Sequence, residues 1–125
     1  MIVGKKLKIL IVEDDKVSFD FVSFLVRNYS TEILRAATGI EAVELLRRYK
    51  DIDLILMDIK MPGIDGCEAT RRIRNFNKEV IIIAQTAYGL SGDREKTLAA
   101  GCNDYISKPI KKENLLKLIE KYFGK

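Results

Sequence analysis

Hydrophobic and polar positions along this chain switch repeatedly between two periods. Short, nearly continuous apolar runs have the length and composition of strands buried on both faces. Each is followed by a stretch in which apolar residues recur every third or fourth position, as on a helix with one buried face. The first run is Lys8–Glu13, and Val17, Phe21, Phe24, Leu25 and Asn28 follow it at helical spacing. Glu32–Ala36 reads as a short, less buried strand. Thr38 and Gly39 then open a helix reaching about Tyr49, with Thr38 its cap and Glu41 the capping partner three residues on. Asp51–Asp58 is the most continuous run, which predicts a central strand. Met61-Pro62-Gly63 is a loop, because proline and glycine do not continue a strand there. A helix is expected over Asp65–Asn75 with Asp65 as N-cap, and a β-branched strand over Val80–Ala84. After a loose Gly89–Gly92, a helix over Asp93–Ala100 stops at Gly101. Cys102–Ser107 is the fifth strand, and Lys111–Phe123 a closing amphipathic helix with Leu115, Leu118, Ile119 and Tyr122 on one face.

Five such units predict an α/β fold: a doubly wound parallel sheet covered by helices on both faces, with right-handed crossovers. The 125 residues suffice for one domain with a real core, so residues 1–125 are read as a single domain. Apolar residues make up 47% of the chain and no run approaches the length of a membrane span. The opening Met1-Ile2-Val3-Gly4-Lys5-Lys6 lacks a signal peptide's apolar region, and the chain is read as cytoplasmic with no membrane partner. The net charge of +4 raises nucleic acid as a ligand, but the basic residues are dispersed without interleaved aromatics. No nucleic acid is therefore expected for this domain alone. Cys67 and Cys102 lack metal-site spacing and are read as reduced packing residues. The absence of histidine excludes an internal phosphohistidine, a Ser/His/Asp triad and any histidine metal ligand.

The runs end in chemistry. Glu13-Asp14-Asp15 follows the first, Asp58 closes the third, Thr86 follows the fourth, and Lys108-Pro109 follows the fifth. In an open α/β sheet, ligands sit beyond the ends of the strands. Carboxylates, a hydroxyl and an ammonium are thus expected at one crevice. An aspartate ending a buried strand needs cations or donors beside it, although capping a loop or helix is also open to Asp58 alone. Carboxylates that close repel unless a cation joins them, and an all-oxygen ligand set selects Mg²⁺ or Mn²⁺ over zinc. Lys108 and Thr86 suit the oxygens of a phosphoryl group.

Four segments, Ile9–Asp15, Leu56–Gly66, Gln85-Thr86-Ala87 and Asp104–Ile110, together resemble the receiver domain of two-component response regulators across essentially the whole chain. The resemblance implies the flavodoxin-like strand order 2-1-3-4-5. It implies a signalling domain, catalysing only its own phosphorylation and dephosphorylation, with Asp58 as phosphoacceptor. Mg²⁺, for which Mn²⁺ substitutes, is implied at Asp14 directly, at Glu13 through water, at Asp58 and at the backbone carbonyl of Lys60. Asp15 falls one place past the acidic pair and reads as a helix N-cap. Lys108 is implied to pair with a phosphoryl oxygen, and Pro109 to follow a cis peptide bond. Thr86 and Tyr105 are the implied switch, with an always-outward strand aromatic as the alternative for Tyr105. Ala87 leaves the acyl phosphate open to its donor. Lys60 and Tyr88 flank the path of attacking water, and neither is suited to orient it, so slow self-dephosphorylation is expected.

The implied donor is a phosphohistidine on a sensor histidine kinase or a histidine phosphotransfer domain. The run from Thr86 through Tyr105 is most similar to receivers attached to hybrid histidine kinases, so the donor or acceptor is either a separate partner or an attached kinase. The output is either a changed face of the fourth helix, fifth strand and fifth helix, or onward relay of the phosphoryl group. Two other enzyme classes fit less well. Asp51-Ile52-Asp53 matches the DxD of aspartate-nucleophile phosphatases, but it precedes its strand instead of ending it. An FMN protein of the same fold would need a hydroxyl- and glycine-rich loop where this chain has three acids. A binding module working without phosphorylation is the remaining alternative, against which the full residue set stands.

Overall fold

The two-period pattern folds as five βα units in the computed structural model, which describes residues 5–87 and 92–124. The elements are β1 (Leu7–Val12), α1 (Lys16–Val26), β2 (Ser30–Ala36), α2 (Gly39–Arg48), β3 (Leu54–Asp58), α3 (Gly66–Arg74), β4 (Ile81–Thr86), α4 (Asp93–Ala100), β5 (Asp104–Ser107) and α5 (Lys112–Phe123), with a 3-10 turn at Arg27–Tyr29. All strand pairs are parallel, in the order β2-β1-β3-β4-β5. This is the flavodoxin-like arrangement. Its order reverses between β1 and β3, which places a ligand crevice at the carboxyl ends of those two strands.

β3 is central and buried throughout, while the edge strand β2 is half exposed. Strand alternation sends residues to two cores, one on each face of the sheet. Leu10, Val12, Ile55, Met57, Ile82 and Ala84 pack against α2, α3 and the end of α4. Ile9, Ile11, Leu54, Leu56, Ile83 and Ile106 pack against α1 and α5. Cys67 and Cys102 are free thiols buried in the first of these cores, so both act as packing residues. Burial pushes the Cys102 thiol up to about 11, which leaves it protonated and unreactive at neutral pH.

Several expected boundaries shift: β2 begins at Ser30, not Glu32, where it pairs with Leu7, and at β3 and β5 a side chain or strand end takes a backbone partner. β3 begins at Leu54, not Asp51, since the Asp53 carboxylate accepts the Lys8 N–H at 2.9 Å and pairs with Lys5 at 3.0 Å. β5 begins at Asp104, not Cys102. The Cys102 N–H closes α4 by donating to the Thr97 carbonyl at 3.1 Å, and Asn103 Oδ1 accepts the Ile82 N–H at 2.8 Å. β4 runs on to Thr86, carrying the hydroxyl within the strand instead of beyond it.

The phase expected for α1 is wrong. Of the stripe read from the sequence only Leu25 is buried, together with Val22 and Val26. Val17, Phe21 and Phe24 are 76%, 50% and 59% exposed. This helix is apolar on both sides, so periodicity alone could not choose its inward face.

Candidate functional site

β1 ends at Val12 and the chain turns at once into Glu13-Asp14-Asp15. Asp15 is the N-cap of α1, as its position past the acidic pair predicts, accepting from the Ser18 backbone N–H at 3.1 Å and the Ser18 hydroxyl at 2.7 Å. That bonding pattern turns Asp15 away to the helix and leaves Glu13 and Asp14 for the crevice. Asp58 is the last residue of β3, and the Lys60 N–H donates to its Oδ1 at 3.2 Å, curling the following loop over the carboxylate. One oxygen from each of Glu13, Asp14 and Asp58 lies within 4.8 Å of the others. Glu13 and Asp58 are buried, and Asp14 is exposed at the rim.

Lys108 answers this negative cluster. The chain leaves β5 at Ser107, the Lys108 N–H is held by the Thr86 carbonyl at 2.9 Å, and the Lys108–Pro109 peptide is cis. Its ammonium reaches Asp58 Oδ2 at 3.2 Å and Glu13 Oε1 at 3.4 Å. Burial lowers the Lys108 pKa, but the carboxylates of Asp58 and Glu13 outweigh it and hold the ammonium above its ordinary range. Glu13 is pushed up, first by burial and then by the charge of Asp58, against the opposing pull of the Asp15 N–H and Lys108. Two buried acids and one half-exposed ammonium thus leave negative charge unbalanced. A hard divalent cation on carboxylate oxygens is the group that restores the balance, so these side chains fit Mg²⁺ or Mn²⁺. Lys60 is exposed beside the cluster, on the loop that carries the expected carbonyl ligand.

Thr86 closes β4 and is buried, 2% exposed. β5 pairs Tyr105 with Ala84, two residues before Thr86, so strand alternation sets Thr86 and Tyr105 on the same face of the sheet. Tyr105 is half-buried against the core beneath α2 and α3, and its N–H donates to the Asp104 carboxylate at 2.9 Å. Ala87, the small residue next to Thr86, is partly exposed, and Tyr88 lies outside the described residues.

The DxD pair is far from this chemistry. Asp51 and Asp53 lie before β3, at the opposite end from Asp58, with Lys8 and Lys5 as their partners.

Three further residues have roles that the sequence did not assign. Arg35, near the end of β2, donates from Nε to the Glu13 carbonyl at 3.2 Å and from Nη2 to the Asp14 carbonyl at 3.0 Å, so it clamps the main chain of the acidic pair. Gly66 opens α3 with its N–H on the Ile59 carbonyl at 2.9 Å, because no Cβ keeps the helix from the backbone of Asp58 and Ile59. Gln85 pairs in register with Asp58 and is 1% exposed. Arg35 and Gln85 have no local sequence signature, since their partners are distant in the chain, while Gly66 reaches back only to Asp58 and Ile59.

Comparison with known proteins places this arrangement. The family model for the response regulator receiver domain matches residues 9–120. Among curated relatives, the polar-differentiation response regulator DivK of Brucella anthropi is 35% identical over 118 residues, covering 93% of this chain and 95% of DivK. The structure resembles the receiver domain of sensor histidine kinase PA1611 from Pseudomonas aeruginosa, solved with a magnesium ion coordinated in its active-site cleft. The TM-score is 0.84 at 39% identity, covering 96% of this chain and 99% of that one. It also resembles the Saccharomyces cerevisiae co-crystal of the histidine phosphotransfer protein Ypd1 with the receiver domain of Ssk1, with a TM-score of 0.89 at 32% identity, covering 98% and 92%. Among the described residues no helix is long and apolar enough to cross a membrane.

Proposed function

This chain belongs to the response regulator receiver domain family, a signalling family, and from that premise we propose that it is a phosphorylation-dependent switch whose phosphoacceptor is Asp58. The observation that carries the reading is the Lys108 ammonium, 3.2 Å from the buried Asp58 carboxylate at the rim of a three-acid cluster. An Asp58 oxygen attacks the phosphorus of a phosphohistidine, the P–N bond breaks, and the imidazole leaves as an aspartyl phosphate forms. Asp14, Asp58, the Lys60 carbonyl and, through water, Glu13 would hold the metal. When bound, Mg²⁺ or Mn²⁺ neutralises charge on the transferring phosphoryl oxygens. Lys108 exchanges its carboxylate partners for a phosphoryl oxygen. The Thr86 hydroxyl donates to another, and Tyr105, on the same sheet face, turns inward behind it, altering the α4-β5-α5 surface.

The donor is a sensor histidine kinase or a histidine phosphotransfer domain, the partner class seen with the Ssk1 receiver domain. The likeness to a receiver of a sensor histidine kinase supports relay within a hybrid kinase, in the cytoplasm, as the setting. Incubation with acetyl phosphate, followed by intact mass, tests the chemistry. One added phosphoryl group that requires both Mg²⁺ and Asp58 supports the reading. No label from acetyl phosphate or from a histidine-phosphorylated donor refutes it and leaves the phosphorylation-independent binding module. Lys60 and Tyr88 make the acyl phosphate long-lived, and a lifetime unchanged in Lys60→Asn/Tyr88→Glu would sink that part.

A further inference from the structure

We propose that the cleft between α1 and the loop after β5 binds a small, neutral, planar molecule that offers a lactam edge to Gln85. The cleft encloses about 370 Å³, within the roughly 300–1,000 Å³ range of small-molecule sites. Its walls are Val17, Phe21 and Val22 from α1 and Pro109 and Ile110 from the loop, with Gln85 lining it from the sheet. Strand alternation puts the Gln85 side chain on the same face as Ile83, the face covered by α1 and α5.

Gln85 carries the argument. Its side chain is sealed from water, 1% exposed, yet neither Oε1 nor Nε2 has a hydrogen-bond partner among the described residues. Most buried amides are paired, because an unmade bond forfeits the full desolvation cost of the group. Leucine would fill this strand position without that cost, so the amide must find its partner from outside the fold. A side-chain amide presents one acceptor and one donor side by side. Its complement is an N–H next to a C=O held cis, as in a lactam.

The rest of the cleft sets the remaining chemistry. Val17 and Phe21 expose large apolar surface, 76% and 50%, which a flat apolar ring system would cover. Glu13 and Lys108 both line the cleft and pair with each other at 3.4 Å, so this wall answers its own charge and suits a neutral ligand. Val17 and Phe21, being exposed, are the wall groups free to part and admit the polar edge to the floor. The proposal does not depend on phosphorylation of Asp58.

The test titrates the ¹⁵N-labelled full chain with 2-quinolinone and, separately, with N-methyl-2-quinolinone, which has the same rings and carbonyl but no donor. The expected result is saturable shifts of the Phe21, Val22 and Ile110 backbone amides and of the Gln85 side-chain amide with 2-quinolinone, with the N-methyl compound about tenfold weaker. Gln85→Leu, with a dispersed spectrum, removes both bonds of the edge, so it lowers the affinity for 2-quinolinone by more than that factor and narrows the difference between the two probes. Three outcomes overturn the proposal. Absence of saturable shifts would mean that ordered water satisfies the amide. Equal affinity of the two probes, or undiminished binding by Gln85→Leu, would reduce the cleft to an apolar surface.

Discussion

Gly66→Ala probes how closely α3 must approach the phosphoacceptor strand. A Cβ at this position would stand 2.3 Å from the Asp58 carbonyl oxygen and 2.9 Å from the Ile59 Cα. Both are backbone atoms that cannot swing aside. Since real Cβ contacts essentially never fall below 3.0 Å, α3 and the Asp58 backbone must separate by about 0.7 Å at the closest pair. That movement also strains the bond from the Gly66 N–H to the Ile59 carbonyl, now 2.9 Å. Overpacking typically costs about 1–3 kcal/mol and a weakened hydrogen bond up to about 1 kcal/mol more. Alanine's advantage over glycine in a helix, roughly 0.5–1 kcal/mol, offsets only part of this. A net loss of about 1–3 kcal/mol is expected in urea unfolding monitored by circular dichroism. The same displacement acts on Asp58, and a misplacement near 1 Å costs on the order of a hundredfold in rate. Phosphorylation by acetyl phosphate, followed by intact mass, should therefore slow by about tenfold or more. Gly63→Ala is the control. Gly63 has a φ of +80° and a methyl group there would meet nothing within 4 Å, so alanine costs backbone strain of about 1–2 kcal/mol without touching Asp58. Unfolding of Gly66→Ala within about 0.5 kcal/mol of wild type refutes the close approach. Equal phosphorylation rates in the two variants refute its link to the site.

Two further perturbations test the parts that hold the site and the β5–α5 face. Arg35→Lys keeps the charge but replaces the two spaced donors of the guanidinium by one nitrogen, so the loop carrying Glu13 and Asp14 loses its fork-shaped clamp. Mg²⁺ affinity by calorimetry should fall by about three- to tenfold, the equivalent of roughly one hydrogen bond, and an unchanged affinity removes Arg35 from the site. Tyr122→Phe deletes a hydroxyl whose single proton is shared between Asp104 Oδ2 and the Asn103 carbonyl, each at 2.9 Å, a loss of about 1 kcal/mol at pH 7. Burial alone would raise the Asp104 pKa, but the Tyr105 N–H, Lys121 and Tyr122 together hold it below the ordinary 3.8. A carboxylate lowered in the folded state stabilises above its unfolded pKa and loses that contribution as pH falls through the folded value. The gap between wild type and Tyr122→Phe should therefore narrow in urea unfolding below about pH 3.8, and a constant gap argues against the Asp104 link.

What the sequence made legible follows from how local each signal is. The five parallel βα units and the meeting of Glu13, Asp14, Asp58 and Lys108 were readable because buried parallel strands are marked by their own composition and their ends by the next residue, whereas the strand order came only with the family resemblance. Caps were readable for the same reason. Asp15, Thr38 and Asp65 each bond a backbone N–H three residues on, so the cap and its partner sit in one short window. Asn103 lies beyond that reach. Its Oδ1 accepts the N–H of Ile82, 21 residues back, and the Arg74 guanidinium at 2.8 Å, so it completes an edge that no local pattern announces.

The misplaced face of α1 has a different origin, and it bears on function. A helix of a soluble domain is normally phased by the contrast between its apolar and polar sides. In α1 that contrast is weak, since Val22, Leu25 and Val26 pack on the sheet while Val17, Phe21 and Phe24 face outward. Fold stability requires only the first set. Three large apolar groups at intervals of four and three residues on one exposed helix face, with Arg27 stacked on the Phe24 ring at 4.7 Å, add nothing to the core and cost solubility. The failure of periodicity to find the buried face is therefore itself informative. Where local rules conflict with the packing they normally serve, the sheet decides the phase, and of the residues it leaves outside, Val17 and Phe21 line the Gln85 cleft.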